Sequence, residues 1–284
     1  MTIVGRGEGV VSYQPSKCPA NHTANDQITA VSRSIRHMHE NLSQAHSLPS
    51  LARSALLSPF HFHRVFRQRT ASTPARFLAA LRMAEAKRLL ADTTMNVTDI
   101  CMHVGYSSLG TFITQFTRLV GMSPRRFRRL IEPVADQPID TVFAAIRPAL
   151  TAPAIVQVTV AVTGGPAGAA LAVVGCFPSG IPQEQPAACS VVPVPSIASF
   201  GQLTDGDYHV LAMSFNPSAT VLDALVGADD TACFVGASPV LVRIRDGRST
   251  LVAPVQVQLR VRRPINPPLV LALPLQLAAE VQAN

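Results

Sequence analysis

The stretch "SPFHFHRVFRQRT", Ser58 to Thr70, sets three phenylalanines, two histidines and three arginines in thirteen positions of a chain with no tryptophan and 5% aromatic residues. Those residue types suit a base edge: arginine pairs with guanine O6 and N7, histidine reaches a base or phosphate, and phenylalanine covers a thymine methyl. On a helix at 100° per residue, Val65, Phe66 and Arg69 fall within about 60° of Phe62, while Phe60, His63, Arg64 and Arg67 cluster on the opposite side. The first set is a core stripe. The second is either a solvated basic face with one stray aromatic or a surface for a DNA major groove.

Two other constellations carry less. The pairs His37/His39 and His61/His63 are each two residues apart. That separation is about 200° around a helix, so neither pair chelates one ion as an i, i+4 pair does, and no metal or cofactor is expected. The cysteines Cys18, Cys101, Cys176, Cys189 and Cys233 are odd in number, scattered and without a C-x-x-C pair, which reads as reduced and structurally incidental.

The elements that would position the Ser58–Thr70 face occur twice. "SLPSLARSALLSPFHFHRVFRQRTASTPARFL" (Ser47 to Leu78) and "NVTDICMHVGYSSLGTFITQFTRLVGMSPRRFRRL" (Asn96 to Leu130) share one pattern. Leu51-Ala52 matches Ile100-Cys101 at an offset of 49, and Ser58, Phe62, Phe66, Pro74 and Phe77 match Ser108, Phe112, Phe116, Pro124 and Phe127 at 50. One extra residue in the second turn accounts for the change. Each unit reads as a short helix, a tight turn and a second helix capped by serine, which is a helix-turn-helix. Between them "PARFLAALRMAEAKRLLADT" has Pro74 in its first turn and no internal Gly or Pro. It predicts one helix to about Leu90, roughly 25 Å long at 1.5 Å per residue. Such a strut would hold the two recognition helices about one DNA turn, ~34 Å, apart.

Charge agrees with a polyanion partner for this half. Residues 1–135 carry 17 Lys+Arg against 7 Asp+Glu, a balance of +10, and residues 136–284 carry 7 against 10, a balance of −3. No uninterrupted run of about 18 apolar residues exists, and the first 25 residues lack a signal-peptide apolar region. The expectation is a soluble cytoplasmic protein with no membrane contact.

Residues from about Asp26 to Leu130 resemble the paired helix-turn-helix DNA-binding domain of the AraC/XylS family of bacterial transcription regulators. The carrying features are "LPSLARSALLSPFHFHRVFRQRT", "LRMAEAKRLLADT" and "VTDICMHVGYSSLGTFITQFTRLVGMSPRRFR", with Gly105-Tyr106, Phe112, Phe116, Gly121, Ser123-Pro124 and Arg128 in order. The resemblance implies base reading by the second helix of each module: Phe60, His63, Arg64 and Arg67, then Gly110, Ile113, Thr114 and Thr117. Phosphate contacts are expected from Arg76, Arg82, Lys87, Arg88, Arg118, Arg125, Arg126 and Arg129, and from backbone N–H groups near Ser58 and Ser108. For Arg128 a structural role would serve equally well. Two departures stand out. Leu56 occupies a turn position where the family usually has glycine, so that turn lacks an easy positive-φ residue. The outer face of the second recognition helix, Gly110, Thr114, Thr117 and Arg118, is short and nearly neutral, which concentrates specificity in the first module.

The rest of the chain changes character. Residues 1–25 read as a mobile arm, and 133–150, punctuated by Pro133, Pro138 and Pro148, as a linker with room for one short helix. A fragment ending near Val134 is accordingly expected to fold alone. From residue 151 the segments "AIVQVTVAV", "ALAVVGCF", "SFGQL", "GDYHVLAMSF", "PVLVRIRDG", "VQVQLRVR" and "LVLALPL" alternate or run apolar between turn residues, with a short helix at "SATVLDALVG". They predict a mainly-β, sandwich-like domain, and "DGDYHV" is loosely similar to transthyretin-like and carboxypeptidase-regulatory-like sandwiches. The overall expectation is an all-α double helix-turn-helix domain followed by that β domain, the latter an effector-sensing, dimerisation or interaction module.

His209 is the only histidine of that domain, so a Ser-His-Asp or Cys-His site would depend on it alone. Asp205, Asp207, Asp229 and Asp230 sit at turn signals. An enzyme remains one alternative, because this DNA-binding domain also occurs in alkylation-repair proteins with a Pro-Cys-His-Arg methyl acceptor. Here Cys189 is followed by Ser and Cys233 by Phe. The partners expected are double-stranded DNA, with RNA polymerase, a small-molecule effector and a second copy of the chain as candidates.

Overall fold

The computed structural model describes residues 24–150, 153–166, 170–226, 233–272 and 274–275. Residues 1–23 of the expected arm, Asp229 and Asp230 lie outside them. The first part is helical: α1 (Ala24–Glu40), α2 (Leu48–Ser54), α3 (Pro59–Thr70), α4 (Pro74–Asp92), α5 (Val97–His103), α6 (Leu109–Val120), α7 (Pro124–Ile131) and α8 (Ile139–Ile146). Side-chain caps start these helices where the sequence pattern places them. Ser58, Thr73, Ser108 and Ser123 accept from the backbone N–H three residues on, at 3.3–3.4 Å, and Pro59, Pro74 and Pro124 fill first helical positions. Each cap satisfies one N–H that the helix leaves without a partner, and proline there gives up a donor that has none to lose.

The two modules close their turns alike. Leu57 N–H donates to Ala52 O and Tyr106 N–H to Cys101 O, both at 3.0 Å. The residue before each is left-handed: Leu56 at φ 58° and Gly105 at φ 85°. The leucine that replaces the expected glycine thus adopts the strained conformation itself, at a cost of about 1–2 kcal/mol, with its side chain 76% exposed. Gly105 has no such freedom to change, since a Cβ there would meet Leu42 O and Ser43 Cα at 2.8 Å.

Matching phenylalanines hold each recognition helix to the helix that follows. Phe62 and Phe66, then Phe66 and Phe77, pack edge to face with centroids 5.4 Å apart. Phe112, Phe116 and Phe127 form the matching trio, the first pair tilted at 5.7 Å and the second edge to face at 6.1 Å. All six rings are fully buried. α1 covers the first trio with Val31, Ile35 and Met38.

The second part is mainly β: β1 (Val158–Gly164), β2 (Ala170–Phe177), β3 (Ala188–Val194), β4 (Ser196–Phe200), β5 (Gly206–Phe215), the short helix α9 (Val221–Val226), β6 (Cys233–Ala237), β7 (Val242–Arg245), β8 (Arg248–Ser249) and β9 (Val255–Val261). Hydrogen-bonded order is β3-β2-β5-β6-β9-β1-β4, antiparallel except for β1 beside β9, with β7 also on β5. The end strands β3 and β4 are consecutive in sequence and in contact, so the sheet curls into a nearly closed barrel. One sheet face, including Val160, Val174, Val210 and Val257, fills the barrel. From the other face Val173 and Phe215 join a single core with Phe116, Phe127 and Phe143 of the helical part.

Two expectations change in the β domain. β3 and β6 fall in segments not singled out as strands, and the described residues 269–272 of "LVLALPL" are irregular, with Val270 and Ala272 buried. Within residues 133–150, α8 buries Ile139, Val142, Phe143 and Ile146, so that segment is packed core rather than a free spacer. A cut at Val134 would uncover this face, which runs against independent folding of the shorter fragment.

The two turns should respond oppositely to substitution. Gly105→Ala is expected to destabilise the chain by more than about 1 kcal/mol, whereas Leu56→Gly should stay within about 1 kcal/mol of the parent or above it. Urea unfolding checks this, and an unchanged midpoint for Gly105→Ala would refute the turn's role.

Candidate nucleic-acid interface

The outer face of α3 follows from the burial of its inner one. With Phe62, Val65 and Phe66 locked in the core, Phe60 is 84% exposed and Arg64 and Arg67 are exposed, with His63 partly so. Arg69, predicted on the inner side, donates to Gln27 Oε1 of α1 at 3.1 and 2.6 Å. On α6, Phe112 and Phe116 face inward and Gly110, Ile113, Thr114 and Thr117 face solvent. Gly110 has open space where a Cβ would stand, with only Ser108 Oγ at 4.0 Å. Among the described residues nothing requires glycine at that place, although glycine weakens a helix by up to ~1 kcal/mol relative to alanine.

Hydrogen bonding sorts the basic residues. Arg64, Arg67, Arg76, Arg125, Arg126 and Arg129 are exposed, and among the described residues none has a carboxylate within salt-bridge distance. Four other expected phosphate contacts have partners of their own. Arg82 donates to Leu42 O and Gln44 O at 2.9 Å and lies over the Tyr106 ring at 5.6 Å, tying the α1–α2 connection and the second module's turn to α4. Arg88 pairs with Glu85 and Asp92 on its own helix. Arg118 pairs with Glu184 at 2.7 Å. Lys87 is fully buried, its ammonium donating to Leu225 O at 2.6 Å and Leu269 O at 2.7 Å. It therefore cannot touch a phosphate, and joins the strut to the β domain instead. Arg128 closes the C-terminal end of α4 by donating to Leu90 O, Thr93 O and Met95 O.

The β domain also reaches the far ends of both recognition helices, by contacts no sequence signal marked. Glu184 N–H donates to Leu119 O and Ala272 N–H to Val120 O, both at 3.1 Å, satisfying carbonyls that α6 leaves open. Gly180 rests on Ala71, the left-handed residue that ends α3; a Cβ on it would lie 2.5 Å from that of Ala71. These are long-range contacts, so local periodicity carries no trace of them.

Two capped helices, each presenting one face to solvent from a phenylalanine-locked seat and joined by a 19-residue strut, make this a double helix-turn-helix protein. A family model described as a helix-turn-helix domain matches residues 51–130. An HTH-type transcriptional regulator of Bacillus subtilis, YobQ, is 30% identical over 98 residues, covering 34% of this chain and 41% of that protein. The bifunctional transcriptional activator/DNA repair enzyme AdaA of the same organism is 32% identical over 94 residues, covering 33% and 44%. The chain thus spans less than half the length of these curated relatives. A solved regulator with an AraC-type DNA-binding domain from Chromobacterium violaceum is 22% identical with a TM-score of 0.35, covering 37% of this chain and 94% of that one. Residues 51–130 of the helical part thus match a helix-turn-helix domain and are similar to the corresponding stretch of these transcriptional regulators.

Two measurements follow from this arrangement. Gly110→Ala should stabilise the fold by up to ~1 kcal/mol while weakening DNA binding, and a gain in stability with no change in DNA affinity would remove Gly110 from the expected base-reading positions. Lys87 sets a pH dependence. Burial, reinforced by the Arg262 charge, pushes its pKa down to about 7, so above that pH the unfolded chain holds the proton more tightly than the folded one. Stability should then rise from about pH 7 toward the ordinary lysine value, about 10.4. In Lys87→Met that part of the rise should vanish, as read from urea midpoints across the range.

Proposed function

We propose that the chain is a sequence-specific transcription regulator of the bacterial cytoplasm that sets α3 and α6 in successive major grooves. The observation that carries this reading is the pair of equivalent phenylalanine seats, with Phe60, Arg64 and Arg67 exposed on one recognition helix and, among the described residues, no carboxylate within salt-bridge distance of either arginine. In this reading Phe60, His63, Arg64 and Arg67 read bases, with Gly110, Thr114 and Thr117 in the second groove. Arg76, Arg125, Arg126 and Arg129 hold phosphates, with the backbone N–H groups near Ser58 and Ser108. The β domain acts on that binding through an effector, a second copy of the chain or RNA polymerase.

We read the chain as a non-enzyme. Burial raises the thiol of Cys101 and pushes those of Cys176 and Cys189 up to about 12 and about 11, which works against a thiolate methyl acceptor at these positions. The resemblance to AdaA lies in the shared DNA-binding stretch.

Selection of bound duplexes from a random pool supplies the test. Arg64→Ala should cost about 1–3 kcal/mol on the selected site and relax one base position, with little loss on random DNA. Arg125→Ala or Arg126→Ala should weaken binding to all sequences and lower the salt slope by roughly one each. The two half-sites should be unequal: alanine at Thr114 or Thr117 should cost at most ~0.5–1.5 kcal/mol, the worth of one neutral hydrogen bond. A selected site whose information lay mainly under the second module would contradict the assignment.

A further inference from the structure

The outer face of the barrel forms one wall of an open cleft of about 640 Å³, and the C-terminal end of α3 forms the other. That volume lies within the range of small-molecule sites, about 300–1,000 Å³. Alternation along the strands sets what the cleft presents. Tyr208, Val210 and Ala212 of β5 point into the barrel, which turns His209, Leu211 and Met213 outward; on β9 the outward residues are Gln256, Gln258 and Arg260. Leu211, Met213 and Leu269 give an apolar floor. The charged lining residues are Arg69, Arg260 and Arg263, and among the described residues no Asp or Glu lines the space.

Arg69 is occupied by Gln27, which leaves two guanidinium groups for a ligand. Gln258 Oε1 accepts from Arg260 at 2.7 Å and so holds that side chain in place, while Asn266 Oδ1 accepts from the Arg263 N–H at 2.8 Å and fixes its loop. The opposite wall at Thr70 and Ala71 is a helix C-terminus, whose partial negative charge repels an anion. A ligand's charge is thereby directed to the β9 side, and its apolar body to the floor.

We propose that this cleft binds a small organic anion, a carboxylate or sulfonate on an apolar body, with the charged end on Arg260 and Arg263, and that its occupancy alters DNA binding by α3. The coupling half rests on the reading of α3 as the base-reading helix. Its physical route is Gly180, which lines the same cleft and touches Ala71; a ligand that moves this wall moves the support of α3.

The test uses the full chain, a duplex selected from a random pool, and octanoate, naphthalene-2-sulfonate and neutral 1-octanol as probes in titration calorimetry. Both anions should bind below about 1 mM, with octanol at least about tenfold weaker. Arg260→Glu/Arg263→Glu should lower anion affinity at least about tenfold yet keep anion-free DNA affinity within about twofold. Saturating anion should change DNA affinity of the parent by about fivefold or more, and that of the double variant not at all. The site is overturned if neither anion binds, if octanol binds as well as octanoate, or if the variant binds anions like the parent. Loss of anion-free DNA binding in the variant would instead give these arginines to DNA phosphates and also overturn it. Anion binding through the arginines with unchanged DNA affinity removes the coupling alone. A chain that binds anions but no duplex overturns the regulator reading and the coupling, and leaves the anion site standing.

Discussion

The contact of Phe66 on Phe77, repeated as Phe116 on Phe127, is the constraint from which the outward faces of α3 and α6 follow. Each joins the middle of a recognition helix to the start of the helix after it. Edge-to-face packing adds about 0.5–1.5 kcal/mol to the burial of each ring pair, and truncating such a ring to alanine costs about 3–5 kcal/mol. Because the inner face is pinned at i and i+4, the rotation of α3 and α6 about their axes is fixed. The outward residues are then set by the 100° step alone, and hydrophobic packing decides which side chains are turned to solvent.

The two seats are equal in design and unequal in cover. α1 closes the first with Val31, Ile35 and Met38, a core local to the module. The second opens into a core shared with α8, α9 and the outer face of the barrel, through Phe143, Phe215 and Val270. Backbone donors from Glu184 and Ala272 finish the C-terminus of α6, and the buried Lys87 fastens the strut to α9 and the segment at Leu269. The acidic half of the chain is thus structural support for the second module.

Local rules made most of the helical part legible: Ser58 and Ser108 as caps, Pro74 in a first turn, and the 50-residue offset that pairs Phe62 with Phe112. The strands β2 and β5 were legible at their full length because apolar residues dominate or alternate between turn residues. β3 was missed because Pro193 and Ser190 interrupt its apolar pattern, and β6 because its five residues are too few to show a period. The basic residues were legible as a class and not one by one. Arg82, Lys87, Arg118 and Arg128 look like Arg76 and Arg126 in sequence, and differ by whether a carbonyl or carboxylate from another element arrives beside them. Such partners lie 33 to 182 residues away, beyond any window in which periodicity is read.

The same comparison shows where the molecule is soft. Both left-handed positions of the second module are glycine, Gly105 and Gly121; in the first they are Leu56 and Ala71. Each of those two residues costs about 1–2 kcal/mol that glycine would not, and the first module's core is the smaller and separate one. Lower local stability concentrates fluctuation in that module, which also carries the longer, charged outward face. Its strained residue Ala71 is the one the β domain touches, through Gly180 at the edge of the cleft. A small change in the seating of that contact therefore acts on the recognition helix with the least margin to resist it, while the second module stays anchored in the shared core.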